Sequence, residues 1–317
     1  MTTAFVMSGA ANYGSLQVGA LHVLLERGIR PDMLIGTSAG AMNAAYAAMD
    51  PTLEGAQRLA TQWGNAAQDV LSRQDALLMI WRLITNRDGL LPNEPLRRFI
   101  ERTLPPGVTR YSDLRLPAYA VAVRLDTGEI RCFGDDPSDR ILDGLMASTA
   151  IPGFYPPWRV EGIDYVDGGV MSYLPVQLAV ERGATEIYAL NVNGANIKKG
   201  VVRGTLAIAG RAIDLLIQRQ GSREIEVHRS RPGVIVHPIS LSMQREIAFW
   251  DFKHAEEMIA AGRELTAAYL DGQPAMKRRV RRWRAWLAGW RPAPAKLRVR
   301  PQAMVPRRRV VNEKPGL

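Results

Sequence analysis

The sequence contains one cysteine, Cys132, in 317 residues. A lone thiol cannot close an internal disulfide, so a cystine-stapled scaffold is excluded and a reducing, cytoplasmic setting is expected. Histidine is scarce too, with four in the chain. No His, Cys, Asp and Glu set stands at metal-ligand spacing, so no metal and no other cofactor is expected. Long apolar runs are missing: none approaches the roughly 18 residues that cross a bilayer. The opening MTTAFVMSGA has neither the basic n-region nor the apolar core of a signal peptide, so none is expected. Internal repeats of solenoid period are absent as well. The first glycine-containing loop, GAANYG, is not followed by the Gly-Lys-Ser/Thr of a P-loop. It also departs from G-x-G-x-x-G, and no acidic ribose ligand follows the second strand, which argues against dinucleotide binding.

What is present is a large apolar content, 47% of residues, and a formal charge of +10 that is spread unevenly. The last 42 residues, 276–317, hold 14 of the 41 Lys and Arg but one of the 31 acids, Glu313. Residues 1–275 are therefore mildly acidic and carry a strongly basic tail.

The hydrophobic periodicity predicts an alternation of strands and helices. Phe5–Met7 reads as a buried strand, SLQVGALHVLLERG as a helix stopped by Gly28, and PDMLIG as a second strand. AGAMNAAYAAM follows as a small-residue helix that can pack closely on a sheet. Residues 50–117 read as a mainly helical insertion containing DALLMIWRLITN and NEPLRRFIERTL. AYAVAVRLDTGEIRCFG reads as a hairpin, and ILDGLMASTAIPGFYPP as a helix ended by Pro152. VEGIDYV and EIYALNV read as strands. A long helix over GTLAIAGRAIDLLIQRQGSREIEVHR, the strand GVIVHPIS and a closing helix complete residues 1–275. The pattern implies a three-layer α/β/α fold with a mainly parallel central sheet.

Two short stretches carry chemistry. The second strand runs straight into GTSAG, Gly36 to Gly40, and then a helix. A serine at such a turn is held in a strained conformation with its hydroxyl exposed above the sheet, and the flanking glycines let strand and helix pass closely. Ser38 is thus a candidate nucleophile; the alternative is a serine that only caps the following helix. Later, VEGIDYVDGGV carries a strand into Asp-Gly-Gly, which would present the Asp167 carboxylate at the sheet edge. Taken alone, Asp-Gly is also an ordinary turn. The order Ser38, Asp167, His237 would suit an α/β-hydrolase triad. His237, however, sits at a strand end before a proline and reads as structural.

The three blocks in this order resemble the patatin-like phospholipases. SGAANYG corresponds to that family's glycine loop, roughly GGGxRG; GTSAG corresponds to its serine elbow and DGG to its aspartate block. The stretch MASTAIPGFYPP, between the last two, resembles the family's Ala-x-Pro-x-x-Phe-x-Pro segment. The resemblance implies a Ser38–Asp167 dyad without histidine. It also implies an oxyanion hole formed by the backbone N–H groups of Gly9, Ala10, Ala11 and Asn12, together with that of Ala39. Gly14, Gly36, Gly40, Gly168 and Gly169 are the motif glycines. The sequence departs from the family at Ala10, Ala11 and Tyr13, where Gly, Gly and Arg are common. Alanine keeps its N–H, but costs roughly 1 kcal/mol wherever φ must be positive.

In the tail, MKRRVRRWRAWLAGWR at helical spacing groups Trp283, Trp286 and Trp290 on one arc. Arg281, Arg282 and Arg284 fall elsewhere. Residues 276–291 are expected to form a basic amphipathic helix on an anionic membrane surface, followed by a disordered segment over 292–317. Such a composition would also suit nonspecific nucleic-acid binding or packing on the protein's own surface; a bilayer-borne substrate favours the membrane. The expectation is a cytoplasmic, peripherally membrane-associated serine lipid acyl hydrolase. The alternatives are a soluble carboxylesterase or acyl-CoA thioesterase with the same dyad, and an inactive membrane-binding scaffold.

Overall fold

The computed structural model describes residues 1–69, 81, 82, 85, 87–193, 203–245, 247, 248 and 251–273. Its centre is an eight-stranded mixed sheet. The strands are β1 (Thr3–Met7), β2 (Met33–Thr37), β3 (Ala118–Arg124), β4 (Ile130–Phe133), β5 (Trp158–Val160), β6 (Ile163–Asp167), β7 (Glu186–Val192) and β8 (Ile235–Leu241). They follow the order β5-β6-β3-β2-β1-β7-β8, with β4 also paired to β3. The β3-β2-β1-β7-β8 core is parallel, and β4, β5 and β6 join by antiparallel pairing. Every residue of β1, β2 and β7 is buried, as expected of parallel strands covered on both faces.

Helices α1 (Gly14–Glu26), α2 (Ala39–Met49), α3 (Leu53–Asp69), α4 (Glu94–Thr103), α5 (Ile141–Ser148) and α8 (Ala255–Gly272) contribute to one apolar layer. That layer takes Phe5, Met7, Leu34, Tyr188 and Leu190 from the sheet. Helices α6 (Val176–Glu181) and α7 (Thr205–Arg229) cover the opposite face, where Ala4, Val6, Ile35, Val121 and Ile187 point. The alternation of sheet side chains between the two layers follows from the period of two. The α/β/α architecture is that implied by the sequence.

Two elements differ from the sequence reading. VEGIDYV is a tight hairpin instead of one strand, because Glu161 and Gly162 take φ values of +50° and +82°. Two consecutive positive φ angles suit a two-residue turn between twisted strands. Helix α5 stops at Ser148, ahead of Pro152, since the residue before a proline is disfavoured in helix. The expected helix DALLMIWRLITN falls mostly outside the described residues, and so does everything expected of residues 276–317.

Candidate active site

The strand register brings the two motif residues together. β3 sets Thr37, the last residue of β2, opposite Val121, and sets Asp167, the last residue of β6, opposite Ala122. Ser38 and Asp167 thus leave the sheet next to adjacent positions of one strand.

Ser38 has φ 57° and ψ −125° and makes no side-chain cap to α2, which leaves its hydroxyl uncommitted to the helix end. A non-glycine residue in this region is strained, and the surroundings must hold it there. They do so through backbone contacts at both flanking glycines. A Cβ on Gly36 would overlap the Gly40 carbonyl, and one on Gly40 would overlap the Ser8 and Met7 carbonyls. A further brace comes from Ser148 at the end of α5. Its Oγ accepts the Ser38 N–H at 2.9 Å and donates to the Val121 carbonyl at 2.6 Å. Next in the chain, Ala39 opens α2, so its N–H lacks an intrahelical acceptor.

Asp167 is 5% exposed. Its Oδ1 accepts the Gly169 N–H at 2.7 Å, whereas Oδ2 has no hydrogen bond of normal geometry among the described residues. Burial pushes the carboxyl up to about 6, against hydrogen bonding from the Ser38 side chain and the Gly169 backbone, which pull it down. The Ser38 hydroxyl is therefore close enough to favour the carboxylate without an aligned bond to Oδ2. A buried carboxylate with a vacant lone pair beside a hydroxyl is suited to accepting a proton.

The glycine loop lies over this pair. Gly9 contacts the Tyr173 ring so closely that a Cβ there would sit 3.0 Å from it and 3.7 Å from the Ser38 Cβ. The Gly9 N–H donates to the Tyr173 carbonyl at 2.9 Å. This corrects the expectation for Gly9: its N–H is committed inside the protein and is not offered to an oxyanion. Ala10 and Ala11 N–H groups have no partner among the described residues. Ala10 has φ −157°, but Ala11 has φ +46°, so only the second alanine is strained. Asn12 and Tyr13 turn inward. Asn12 Nδ2 donates to the Ala248 and Asp251 carbonyls at 2.9 and 2.7 Å, and the Tyr13 hydroxyl donates to the Ile247 carbonyl at 2.8 Å.

Beneath the loop runs a buried polar chain that the sequence reading missed. Trp63 Nε1 donates to Asn43 Oδ1 at 2.8 Å, and Asn43 Nδ2 donates to Gln17 Oε1 at 2.9 Å and to the Gly14 carbonyl at 3.0 Å. Gln17 Nε2 donates to the Ser8 carbonyl at 2.9 Å. The signal was available, since Gln17 and Asn43 are polar residues inside otherwise apolar or small-residue helices. Tyr173 was missed for a different reason: its role is to fill space between two glycine turns, which no local pattern records.

All four histidines are engaged away from Ser38. His237 Nε2 meets Glu186 Oε1 at 3.3 Å and its ring stacks on Tyr188 at 4.5 Å. His228 bonds Gln177 at 2.5 Å and the Glu224 carbonyl at 2.9 Å. His22 bonds Arg263, and His254 lies 3.4 Å from Glu257. Cys132 is buried, and burial pushes its thiol up to about 11, so it is no competing nucleophile.

A mixed, mainly parallel sheet between helices sets a serine elbow beside a buried carboxylate, and sequence comparison gives the family. A model described as Patatin-like phospholipase matches residues 5–180, over half of the chain, and the chain belongs to that family. Patatin-like phospholipase domain-containing protein 7 of Rattus norvegicus is 30% identical over 193 residues, 60% of this chain and 13% of that protein. Lysophospholipase NTE1 of Mycosarcoma maydis is 24% identical over 200 residues, 61% of this chain and 10% of that protein. The chain thus spans only a small part of the length of these curated relatives. Among solved structures, VipD from Legionella pneumophila is 14% identical with a TM-score of 0.49, covering 85% of this chain and 66% of that one.

Proposed function

We propose that the protein is a serine lipid acyl hydrolase that cleaves fatty acyl esters with Ser38 as nucleophile and Asp167 as base. The observation that carries this reading is the Asp167 carboxyl, buried, raised to about 6 and with Oδ2 unfilled, at the register position beside Ser38. Ser38 Oγ attacks the acyl carbonyl while Asp167 takes its proton. The tetrahedral oxyanion collects N–H donors from Ala10, Ala11, Asn12 and Ala39. Asp167-H then protonates the leaving alcohol as the C–O bond breaks, giving an acyl-serine. Water, deprotonated by Asp167, attacks the acyl-serine, and the proton returns to Ser38 as the fatty acid leaves. Each oxyanion donor in such a site is worth roughly 3–4 kcal/mol at the transition state. Asp167 can act as base near neutral pH because its folded pKa stands about two units above that of an exposed aspartate.

A lipid ester as substrate is supported by the family and by relatives whose names include phospholipase and lysophospholipase. The test is covalent labelling with a fluorophosphonate. Wild type should be labelled at Ser38 and should release fatty acid from lysophospholipid. Ser38→Ala should do neither. A wild type that resists the probe would instead be the inactive scaffold.

A further inference from the structure

Six of the twelve large apolar side chains exposed among the described residues lie in one region: Val170, Met171, Ile208, Ile213, Leu215 and Leu216, each half or more exposed. The first two belong to the turn that follows Asp167; the other four project from α7. Gln220 ties the two parts together. Its Nε2 donates to the Met171 carbonyl at 2.5 Å and its Oε1 accepts the Tyr173 N–H at 2.8 Å. On a helix, the residues four and seven places before Gln220 share its face, and these are Leu216 and Ile213. Ile213 and Leu216 therefore continue from the rim of the Asp167 turn outward, and Ile208 and Leu215, seven residues apart, form a second exposed row about 120–140° round the helix from Gln220. Leu216, 71% exposed, is the most prominent. Over residues 203–229 the sequence has five arginines, Arg203, Arg211, Arg219, Arg223 and Arg229, against three acids, and two of these, Glu224 and Glu226, lie in the last two turns, beyond the exposed apolar group. Arg203, Arg219 and Arg223 are exposed.

An ordinary soluble surface scatters its exposed apolar residues singly, whereas a concentration on one helix edged by cations marks an interaction site. A second protein would match this face only if it set acids among its own apolar side chains. The arginines interspersed along the same helix match a row of anionic head groups above an acyl layer. We propose that the exposed face of α7, with Val170 and Met171, is the surface on which this protein docks to an anionic lipid bilayer, with the Ser38–Asp167 turn facing the membrane. The orientation has a chemical consequence: an acyl ester leaving the bilayer would meet the site without crossing water. This rests on the lipid acyl hydrolase reading for its purpose, and not for its test.

Cys132 is buried, so an added exposed cysteine can be labelled alone. In the full chain, Leu216→Cys and, as a control, Ile235→Cys would each carry an environment-sensitive fluorophore. Ile235 starts β8, at the end of the parallel strands opposite the Ser38 turn, and is also exposed. On vesicles of phosphatidylcholine with about 30% phosphatidylserine, the label at 216 should shift to the blue with a several-fold gain in emission, and the label at 235 should not. Ile213→Ser with Leu216→Ser should cut hydrolysis of vesicle lipid about tenfold or more and leave hydrolysis of a soluble short-chain ester unchanged. No shift at 216 in protein that sediments with vesicles would overturn the proposal, as would failure to sediment at all. A shift at 216 that grows with protein concentration in the absence of lipid would overturn it too, marking contact between copies of the chain. Failure of the hydrolase reading would appear separately, as no soluble-ester turnover and no fluorophosphonate adduct.

Discussion

At the scale of single residues, the protonation of Asp167 links activity to stability. Its folded pKa of about 6 lies above the ordinary 3.8, so the folded state holds a proton more tightly than the unfolded chain. The favourable contribution is complete below pH 3.8 and is lost as pH rises through about 6; above that, the ionised buried carboxylate is a net cost. A two-unit shift corresponds to roughly 2–3 kcal/mol. Asp167→Asn keeps an oxygen for the Gly169 N–H and removes the charge. Ester hydrolysis should fall by several orders of magnitude, while denaturant unfolding at pH 8 should show a gain of about 2 kcal/mol that disappears near pH 4. Equal stability of the two proteins at pH 8 would remove the raised pKa. In wild type the same ionisation should make kcat/KM for a soluble ester rise with pH around 6 and then level off. The loop alanines separate in the same way. Ala11, at φ +46°, should tolerate glycine with a gain of up to about 1 kcal/mol and altered turnover, whereas Ala10→Gly at negative φ should lose a few tenths to 1 kcal/mol through unfolded-state entropy. Thermal melts and acyl-chain selectivity of the two variants would check this; identical behaviour would mean the φ difference has no energetic weight.

At the scale of elements, the strand–turn–helix around GTSAG was legible because chemistry and backbone geometry are written into consecutive residues. Gly36 reports a close passage with Gly40 four residues on, whereas Gly40 clears the Met7 and Ser8 carbonyls at the end of β1. Asp167 was legible only by order and resemblance, since its partnership with Ser38 is set by β3, which pairs with both β2 and β6. The hairpin turn at Glu161 was illegible, because glutamate gives no local sign of a positive φ. The support of the oxyanion loop was equally hidden: it is assembled from α1, α2 and α3, whose polar residues sit 20 or more places apart. Asn43 is the junction of that support, with three hydrogen bonds to Trp63, Gln17 and the Gly14 carbonyl. Asn43→Ala leaves buried groups without partners, each costing about 1–3 kcal/mol. The expected result is a loss of roughly 2–4 kcal/mol in stability. Turnover of a soluble ester should drop more than its KM rises, because the loop donors act in the transition state. Asn43→Asp, which keeps the acceptor for Trp63 but turns an oxygen toward the Gly14 carbonyl and Gln17 Oε1, should lose at least as much stability as Asn43→Ala at neutral pH. Loss of stability with unchanged kcat would show that the network holds the fold but not the loop.

At the scale of the molecule, the sequence separates an acidic α/β/α body from a basic tail, and the two must answer to different variables. Every group assigned to the chemistry lies between Gly9 and Tyr173, on the C-terminal edge of the sheet or over it. Among the described residues no helix is long and apolar enough to cross a membrane. Residues 276–317 carry 14 Lys and Arg against one Glu, and an anionic surface is the partner proposed for them. Each such cation near an anionic leaflet contributes about 1 kcal/mol, and salt screens it within a Debye length. The exposed face of α7 is a contact of another kind: its apolar side chains are insensitive to screening, and its arginines add a smaller, salt-dependent part. Deletion of 276–317 should therefore leave hydrolysis of a soluble ester within about twofold of the full chain, since no assigned catalytic group is removed. Sedimentation with anionic vesicles at low salt should weaken by at least tenfold, and the remaining binding should depend less steeply on ionic strength than that of the full chain. Replacing Trp283, Trp286 and Trp290 with alanine in the full chain should do the reverse in the tail, sparing low-salt binding and reducing what survives at high salt. If the truncated and full-length chains sediment equally at every ionic strength, the tail takes no part in lipid binding, and its cations would have to serve a polyanion other than the membrane.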